Sequence, residues 1–262
     1  MNTFEKHNIS YLSPSTINLF ISQPALCMLK FAGYTDDEVG PPAWRGTAVD
    51  KAVGKGVIEG WELEHLTEDA TTSFWDEYSK YPHVITPKIG EKAEKEAKLI
   101  PPMIKNAMDF YKPLGNVQSI QGKIKMFFDD IEVPFIGYYD LEYEDTIRDT
   151  KTVSRTMSGI ANSAKRQVAI YSFAKNKEAW IDYVTAKEVR SFKLENAEYW
   201  LKQVEIASHS IKKILSFSDD ILECCQLVYP DLDHWMWSKT MTNNARTVWD
   251  MDNPKLNATT ER

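Results

Sequence analysis

The sequence predicts an α/β fold, a mixed sheet flanked by helices with helical additions at both ends, and three observations carry that prediction. Val133, Phe135, Tyr139, Leu141 and Tyr143 recur on a period of two, with the aromatic and β-branched residues of a half-buried strand. Ala93, Ala97, Ile100, Ile104, Ala107 and Phe110 recur on a helical period, as do Trp200, Val204, Ala207, Ile211 and Leu215. The order of such segments along the chain, helix, strands, helix, strand, is that of an α/β core.

Taken in order, Ser13-Pro14-Ser15 opens a first helix, with serine as N-cap and proline in the first turn, and Pro24 ends or kinks it. Gly40-Pro41-Pro42 reads as a loop, followed by a helix from Arg45 through Val57 with Asp50 in its first turns. Lys88 to Tyr111 is helical, divided into two pieces by Pro101-Pro102. Val117 to Phe128 and Val133 to Tyr143 form an antiparallel strand pair joined around Asp129-Asp130, and Thr146 to Val153 is a third strand. A helix over Gln167 to Lys175 follows, then an alternating segment from Trp180 to Val189, then one long helix over Glu195 to Cys225. Residues 1–252 are read as a single domain: a helical part (1–115), the core strands and helix (116–190) and a C-terminal helical part (191–252). Residues 253–262 read as a disordered tail.

Composition narrows the function classes. At 262 residues, 43% hydrophobic, the chain has enough apolar material to bury a sizeable core, which excludes a largely disordered protein. The longest apolar runs, such as Ile131 to Tyr139, fall far short of the roughly 20 residues that cross a bilayer. The first residues lack a basic stretch followed by an apolar core, and Cys27, Cys224 and Cys225 offer no disulfide framework, so cytoplasm is the expected location. A formal charge of −7 argues against coating DNA through bulk electrostatics, although an enzyme with a local basic track is compatible with it. No internal repeat stands out, and His7, His65, His83, His209 and His234 show no metal-ligand spacing.

The chemistry concentrates in two short stretches, Gly137-Tyr138-Tyr139-Asp140 and Asp149-Thr150-Lys151. Side chains alternate along a strand, so Asp149 and Lys151 share a face and can converge with Asp140 on one divalent cation. Oxygen ligands of this kind suit magnesium or manganese. The lysine ammonium can either orient an attacking water or stabilise charge on a phosphate. A D-x-K alone is common on solvated strands, but here it follows a strand ending in G-x-x-D and precedes a helix carrying Gln167 and Tyr171 four residues apart.

In that order the motifs resemble the RecB-like branch of the PD-(D/E)XK nucleases, which includes phage recombination exonucleases and the nucleases of CRISPR adaptation. Ser13-Pro14-Ser15 resembles its S-x-S segment, Gly46 to Asp50 its G-T-x-x-H segment, Gly137 to Asp140 its G-x-x-D, Asp149 to Lys151 its D-x-K, and Gln167 to Tyr171 its Q-x-x-x-Y. The resemblance implies a restriction-endonuclease-like core. It further implies Asp140, Asp149, Lys151, Gln167 and Tyr171 as catalytic residues, and Asp50, Asp140, Asp149 and Thr150 around a magnesium or manganese ion. Asp50 stands where the family commonly has histidine, and a carboxylate there favours a hard cation. Many relatives hold an iron–sulfur cluster on four cysteines; three cannot complete it, so no cluster is expected and Trp235, Trp237 and Trp249 are expected to pack in its place.

The resemblance implies a DNA exonuclease of recombination, repair or replication, in a bacterial or phage-infected cytoplasm. Its partners would be single-stranded or end-bearing duplex DNA and a recombination or single-strand-binding protein, with no membrane. Ser13, Ser15, Lys123, Lys125, Arg155, Lys165 and Arg166 are the candidate DNA contacts. A structure-specific endonuclease and a non-catalytic DNA-binding scaffold are the alternatives.

Overall fold

The computed structural model describes residues 2–35, 39–82 and 86–252. Helices α1 (Thr3–Lys6), α2 (Pro14–Ser22), α3 (Pro24–Phe31), α4 (Pro41–Glu59), α5 (Leu63–Ser79), α6 (Pro87–Ala97) and α7 (Ile100–Tyr111) come first. Strands β1 (Ser119–Met126), β2 (Phe135–Glu142) and β3 (Thr146–Thr152) follow, then helix α8 (Asn162–Lys175) and strands β4 (Glu178–Val184) and β5 (Val189–Lys193). Helices α9 (Ala197–Leu215), α10 (Ile221–Cys225) and α11 (Lys239–Val248) complete the described chain.

The five strands form one mixed sheet in sequence order, β1-β2-β3-β4-β5. Strand β2 runs antiparallel to β3, with Leu141 opposite Arg148, and β4 runs antiparallel to β5. Between them β3 and β4 are parallel, with Asp149 opposite Ile181 and Lys151 opposite Tyr183. A parallel pair needs a crossover, and α8 supplies it. The sheet with its flanking helices is the α/β architecture the sequence predicts.

The chain forms two compact units. Among the described residues the larger one comprises 39–82, 86–124 and 137–201. Its core sets Trp44, Ala48, Val49, Ala52 and Val53 of α4 and Met103, Ile104, Ala107, Met108 and Tyr111 of α7 against Leu141 and Val184 of the sheet and Tyr143 just past β2. These positions recur every three or four residues along each helix, which is why one stripe of each faces inward. Among the described residues the smaller unit comprises 2–35, 125–136 and 202–252. Ala25, Leu26 and Leu29 of α3 pack there with Trp237, Met241 and Ala245, and the Trp237 indole donates to Gln23 Oε1 at 3.0 Å. Among the described residues no helix is long and apolar enough to cross a membrane.

Several local expectations need correction. Gly40-Pro41-Pro42 is no loop: Gly40 is the N-cap of α4, so Asp50 sits in mid-helix. Proline suits that first turn because its fixed φ is already helical and its missing N–H would have no partner there. Helix α8 also starts earlier than predicted, at Asn162. The segment Trp180 to Val189 is not one strand, because Thr185 Oγ1 accepts from the N–H groups of Lys187 and Glu188 and reverses the chain between β4 and β5. The long helix expected to reach Cys225 ends at Leu215, where the Ser218 hydroxyl and the Asp220 carboxylate take backbone N–H groups and start α10 afresh. Trp237 packs in this cluster and Trp249 lies against it, but Trp235 is 84% exposed and is not part of it. The tail at 253–262 and His83 lie outside the described residues.

Candidate active site

Strand β3 supplies the centre of the site. Thr146, Ile147, Thr150 and Thr152 give it β-branched character, and pairing with β2 on one side and β4 on the other satisfies its backbone. Alternation sends Asp149 and Lys151 to one face and Arg148 and Thr150 to the other. On the first face Lys151 Nζ stands 2.7 Å from Asp149 Oδ2. That oxygen is buried, and the ammonium is its ion-pair partner.

Helix α8 braces the other carboxylate oxygen. Gln167 Nε2 lies 3.0 Å from Asp149 Oδ1 and donates to it, and 2.9 Å from the Tyr171 hydroxyl. Residues four apart on a helix lie on one face, which is what lets the glutamine meet both. From β2, Asp140 Oδ2 accepts the backbone N–H of Thr150 at 2.6 Å. Asp140 Oδ1 accepts from the Gln121 side chain at 3.0 Å, and the same Gln121 nitrogen donates to Asp50 Oδ2 at 2.6 Å. Asp50, Asp140, Asp149, Lys151, Gln167 and Tyr171 are therefore brought together within the larger unit.

Burial and like charge act on this cluster in the same direction. Burial, with the Asp149 carboxylate beside it, pushes Asp50 up to about 6. Burial, then Asp149 and Asp50, push Asp140 well above the usual carboxylate range. Burial alone would lower Lys151, but Asp149 and Asp140 outweigh it and hold the ammonium protonated above its ordinary range. Burial and the Asp149 charge likewise push the Tyr171 phenol up, so it stays a neutral hydroxyl at physiological pH.

Whether such a site suits a divalent cation turns on its donors. Three carboxylates offer hard oxygens, one buried Asp149 oxygen lacks a hydrogen bond, and mutual repulsion leaves the cluster short of positive charge. These features fit magnesium or manganese. Among the described residues no three His, Cys, Asp or Glu side chains are already closed into a ligand cage, and the Gln121 amide stands between Asp50 and Asp140. Thr150 meets the site through its main chain alone, since its hydroxyl turns to the opposite face and hydrogen-bonds Tyr111 at 2.8 Å. The three cysteines are buried and free; burial pushes Cys27 and Cys225 up to about 12, away from the thiolate form that a metal takes.

The candidate DNA contacts divide. Lys123 is exposed on β1 and Arg155 is exposed just beyond β3. Lys165 holds its ammonium 4.6 Å over the Trp200 ring, whereas Arg166 is only 7% exposed and burial lowers its pKa, so it is not a surface cation. Ser13, Ser15 and Lys125 belong to the smaller unit, where Ser13 Oγ caps α2 by accepting from Thr16 N–H at 3.1 Å and bonds Ser15 Oγ at 2.8 Å. Lys125 is exposed, with its ammonium 5.4 Å over the Phe127 ring.

Four residues that the sequence did not single out support the site. Gln121 is one, at φ 48°, a left-handed conformation unusual for a side-chain-bearing residue in a strand. Gly122 beside it was the available signal, since a glycine inside a strand pattern marks a bulge or a close approach. A Cβ at Gly122 would lie 2.0 Å from the Tyr139 ring, so no other residue fits. On the far face of β3, Arg148 pairs with Asp182 at 2.9 Å, and Tyr111 donates to Asp182 at 3.0 Å while also holding Thr150. This network braces the strand whose backbone holds Asp140.

No protein-family model matches the chain, and no curated protein gives a significant match. Among solved structures, one described as the crystal structure of SSO0001 is similar over 71% of this chain and 84% of that chain, at 8% identity and a TM-score of 0.30. A likeness of that size carries no argument about the fold or activity of this chain.

Proposed function

We propose that this chain is a divalent-metal-dependent DNA exonuclease with a PD-(D/E)XK core. The observation that carries the reading is the convergence of Asp140, Asp149 and Lys151 with Gln167 on one face of β3, with Asp50 added from α4. Asp50, Asp140 and Asp149 are the residues that would hold magnesium or manganese. Such an ion supplies Lewis acidity at the phosphate and generates a nucleophile at neutral pH.

The chain's own residues divide the remaining work. Lys151, held protonated by its carboxylate neighbours, presents a fixed positive charge toward an approaching phosphodiester and is not a base at neutral pH. Gln167 and Tyr171 hold the Asp149 carboxylate in one rotamer, so the liganding oxygens need little rearrangement. The exposed Lys123 and Arg155 give phosphate contacts beside the site despite the net charge of −7. Weak, salt-sensitive binding follows from that overall acidity. The preference for DNA ends rests on the family resemblance of the motifs.

The test is incubation of end-labelled linear DNA and covalently closed single- and double-stranded circles with magnesium, manganese or chelator. Metal-dependent release of mononucleotides or short oligonucleotides from linear DNA alone is the expected result. Equal cutting of circles would make the protein an endonuclease, and binding without cleavage in either metal would make it a scaffold.

A further inference from the structure

Gln121 occupies an unusual position for a neutral side chain. Its single amide nitrogen spans two carboxylates that repel each other, reaching Asp50 Oδ2 at 2.6 Å and Asp140 Oδ1 at 3.0 Å. Each N–H of the amide has one carboxylate to serve, and the nitrogen sits between the two oxygens, where a cation shared by both would have to sit. The base of this arm is fixed. Gln121 takes a left-handed backbone conformation at φ 48°, and Gly122 after it lies so close to the Tyr139 ring that a Cβ would meet it at 2.0 Å. Tyr139 is itself tied, its hydroxyl within 2.8 Å of Ser119 Oγ and hydrogen-bonded to Glu142. The tip of the arm is exposed, so water is at hand to replace its carboxylate partners.

An isolated exposed glutamine hydrogen bond contributes little, but this one bridges two carboxylates of like charge. An amide carries only partial positive charge, so it lessens the repulsion between Asp50 and Asp140 without neutralising it. A divalent ion does so far better, and the two cannot occupy the space together. We infer that Gln121 is a displaceable latch: it holds the acidic site in shape when the metal is absent, and must swing into solvent when the metal enters. The inference rests on the metal-site reading proposed above. It adds that the chain carries an internal competitor for its own cofactor, which lowers metal affinity while protecting the empty site from collapse or splaying.

The experiment uses the full chain, stripped with chelator, with Mn2+ binding followed by the paramagnetic resonance signal of the free ion and thermal stability measured with and without metal. Gln121→Met keeps the length of the arm and removes the donor; Gln121→Asn keeps an amide that tolerates the left-handed backbone but is too short to span both carboxylates. Both variants are expected to melt lower than wild type in chelator and to bind Mn2+ more tightly, Gln121→Met by about tenfold, the scale of a lost hydrogen bond to a charged group. Stability at saturating Mn2+ should match wild type. Unchanged Mn2+ affinity in Gln121→Met overturns the latch alone, and weaker binding also overturns it by making Gln121 a ligand. If neither wild type nor Gln121→Met binds Mn2+ in a manner lost on Asp140→Asn, the metal-site reading itself fails and the latch falls with it. Binding by Gln121→Met where wild type shows none supports the latch in its strongest form.

Discussion

Asp140 and Glu142 stand two residues apart on β2, yet the chain treats their charges in opposite ways. Glu142 is surrounded by donors: Lys175 at 3.0 Å, Lys177 at 2.9 Å, the Ser119 hydroxyl at 3.0 Å and the Tyr139 phenol. Burial pulls its pKa upward, but those hydrogen bonds outweigh it and hold Glu142 at about 2. Asp140 has two neutral donors, and burial with the charges of Asp149 and Asp50 drives it the other way. Glu142 is given its countercharges by two lysines, whereas Asp140 faces two like charges, and it is this imbalance that the proposed role of Asp140 as a metal ligand would use.

The largest effect that would sharpen this contrast is on catalysis. Asp140→Asn and Lys151→Ala should each lower DNA hydrolysis by on the order of 10³-fold or more, with circular dichroism unchanged, while Glu142→Gln stays within about tenfold of wild type. Comparable losses at 140 and 142 would erase the distinction. Stability should show the reverse order. In chemical denaturation with chelator present, Glu142→Gln should cost about 2 kcal/mol, because Lys177 is left in a partly buried site without its countercharge. Asp140→Asn should cost nothing or stabilise the chain, and a destabilisation equal to that of Glu142→Gln would contradict the charge argument.

The smallest effect is on pH dependence, and it separates the two carboxylates by window. Asp50, raised to about 6, and Asp140, raised well above the usual carboxylate range, bind more protons folded than unfolded, so their charge repulsion is relieved as pH falls toward the unfolded carboxylate range. Glu142, depressed to about 2, contributes a stability that is constant above the unfolded value of roughly 4.3 and is lost only below it. In chelator the melting temperature should therefore rise by about a degree or two between pH 7 and pH 5. Saturating Mn2+ should reverse the slope, since protons then compete with the ion. A flat profile in chelator would mean that the acidic cluster is already neutralised within the protein.

What was legible in the sequence follows from short-range geometry. Alternation along a strand is enough to put Asp149 and Lys151 together, and helical spacing is enough to align Gln167 with Tyr171. The partners of Arg148 were not legible. Its contact with Asp182 depends on the register of a parallel pair, set by a crossover helix rather than by either strand. Helix α5 was obscure for a different reason: its buried stripe is only Leu66, Ala70 and Phe74 among charged residues, too narrow to mark a period. Gln121 carries no charge and no motif. Only the neighbouring glycine hinted that the backbone there does something other than extend.

The crossover from β3 through α8 to β4 also bears on how the site comes into being as the chain folds. Asp140, Asp149, Lys151, Gln167 and Tyr171 all come from one continuous stretch, positions 140 to 171, so closing that part of the site requires only short loops. Asp50 reaches it from α4, with helices α5, α6 and α7 and strand β1 lying between in the chain. Most of the pocket can thus form as one local event, and the last carboxylate arrives by a long-range docking of α4 on β3. Refolding kinetics read at the β3–α8 segment and at Asp50 should accordingly show two rates, the slower at Asp50, with added Mn2+ accelerating only the second.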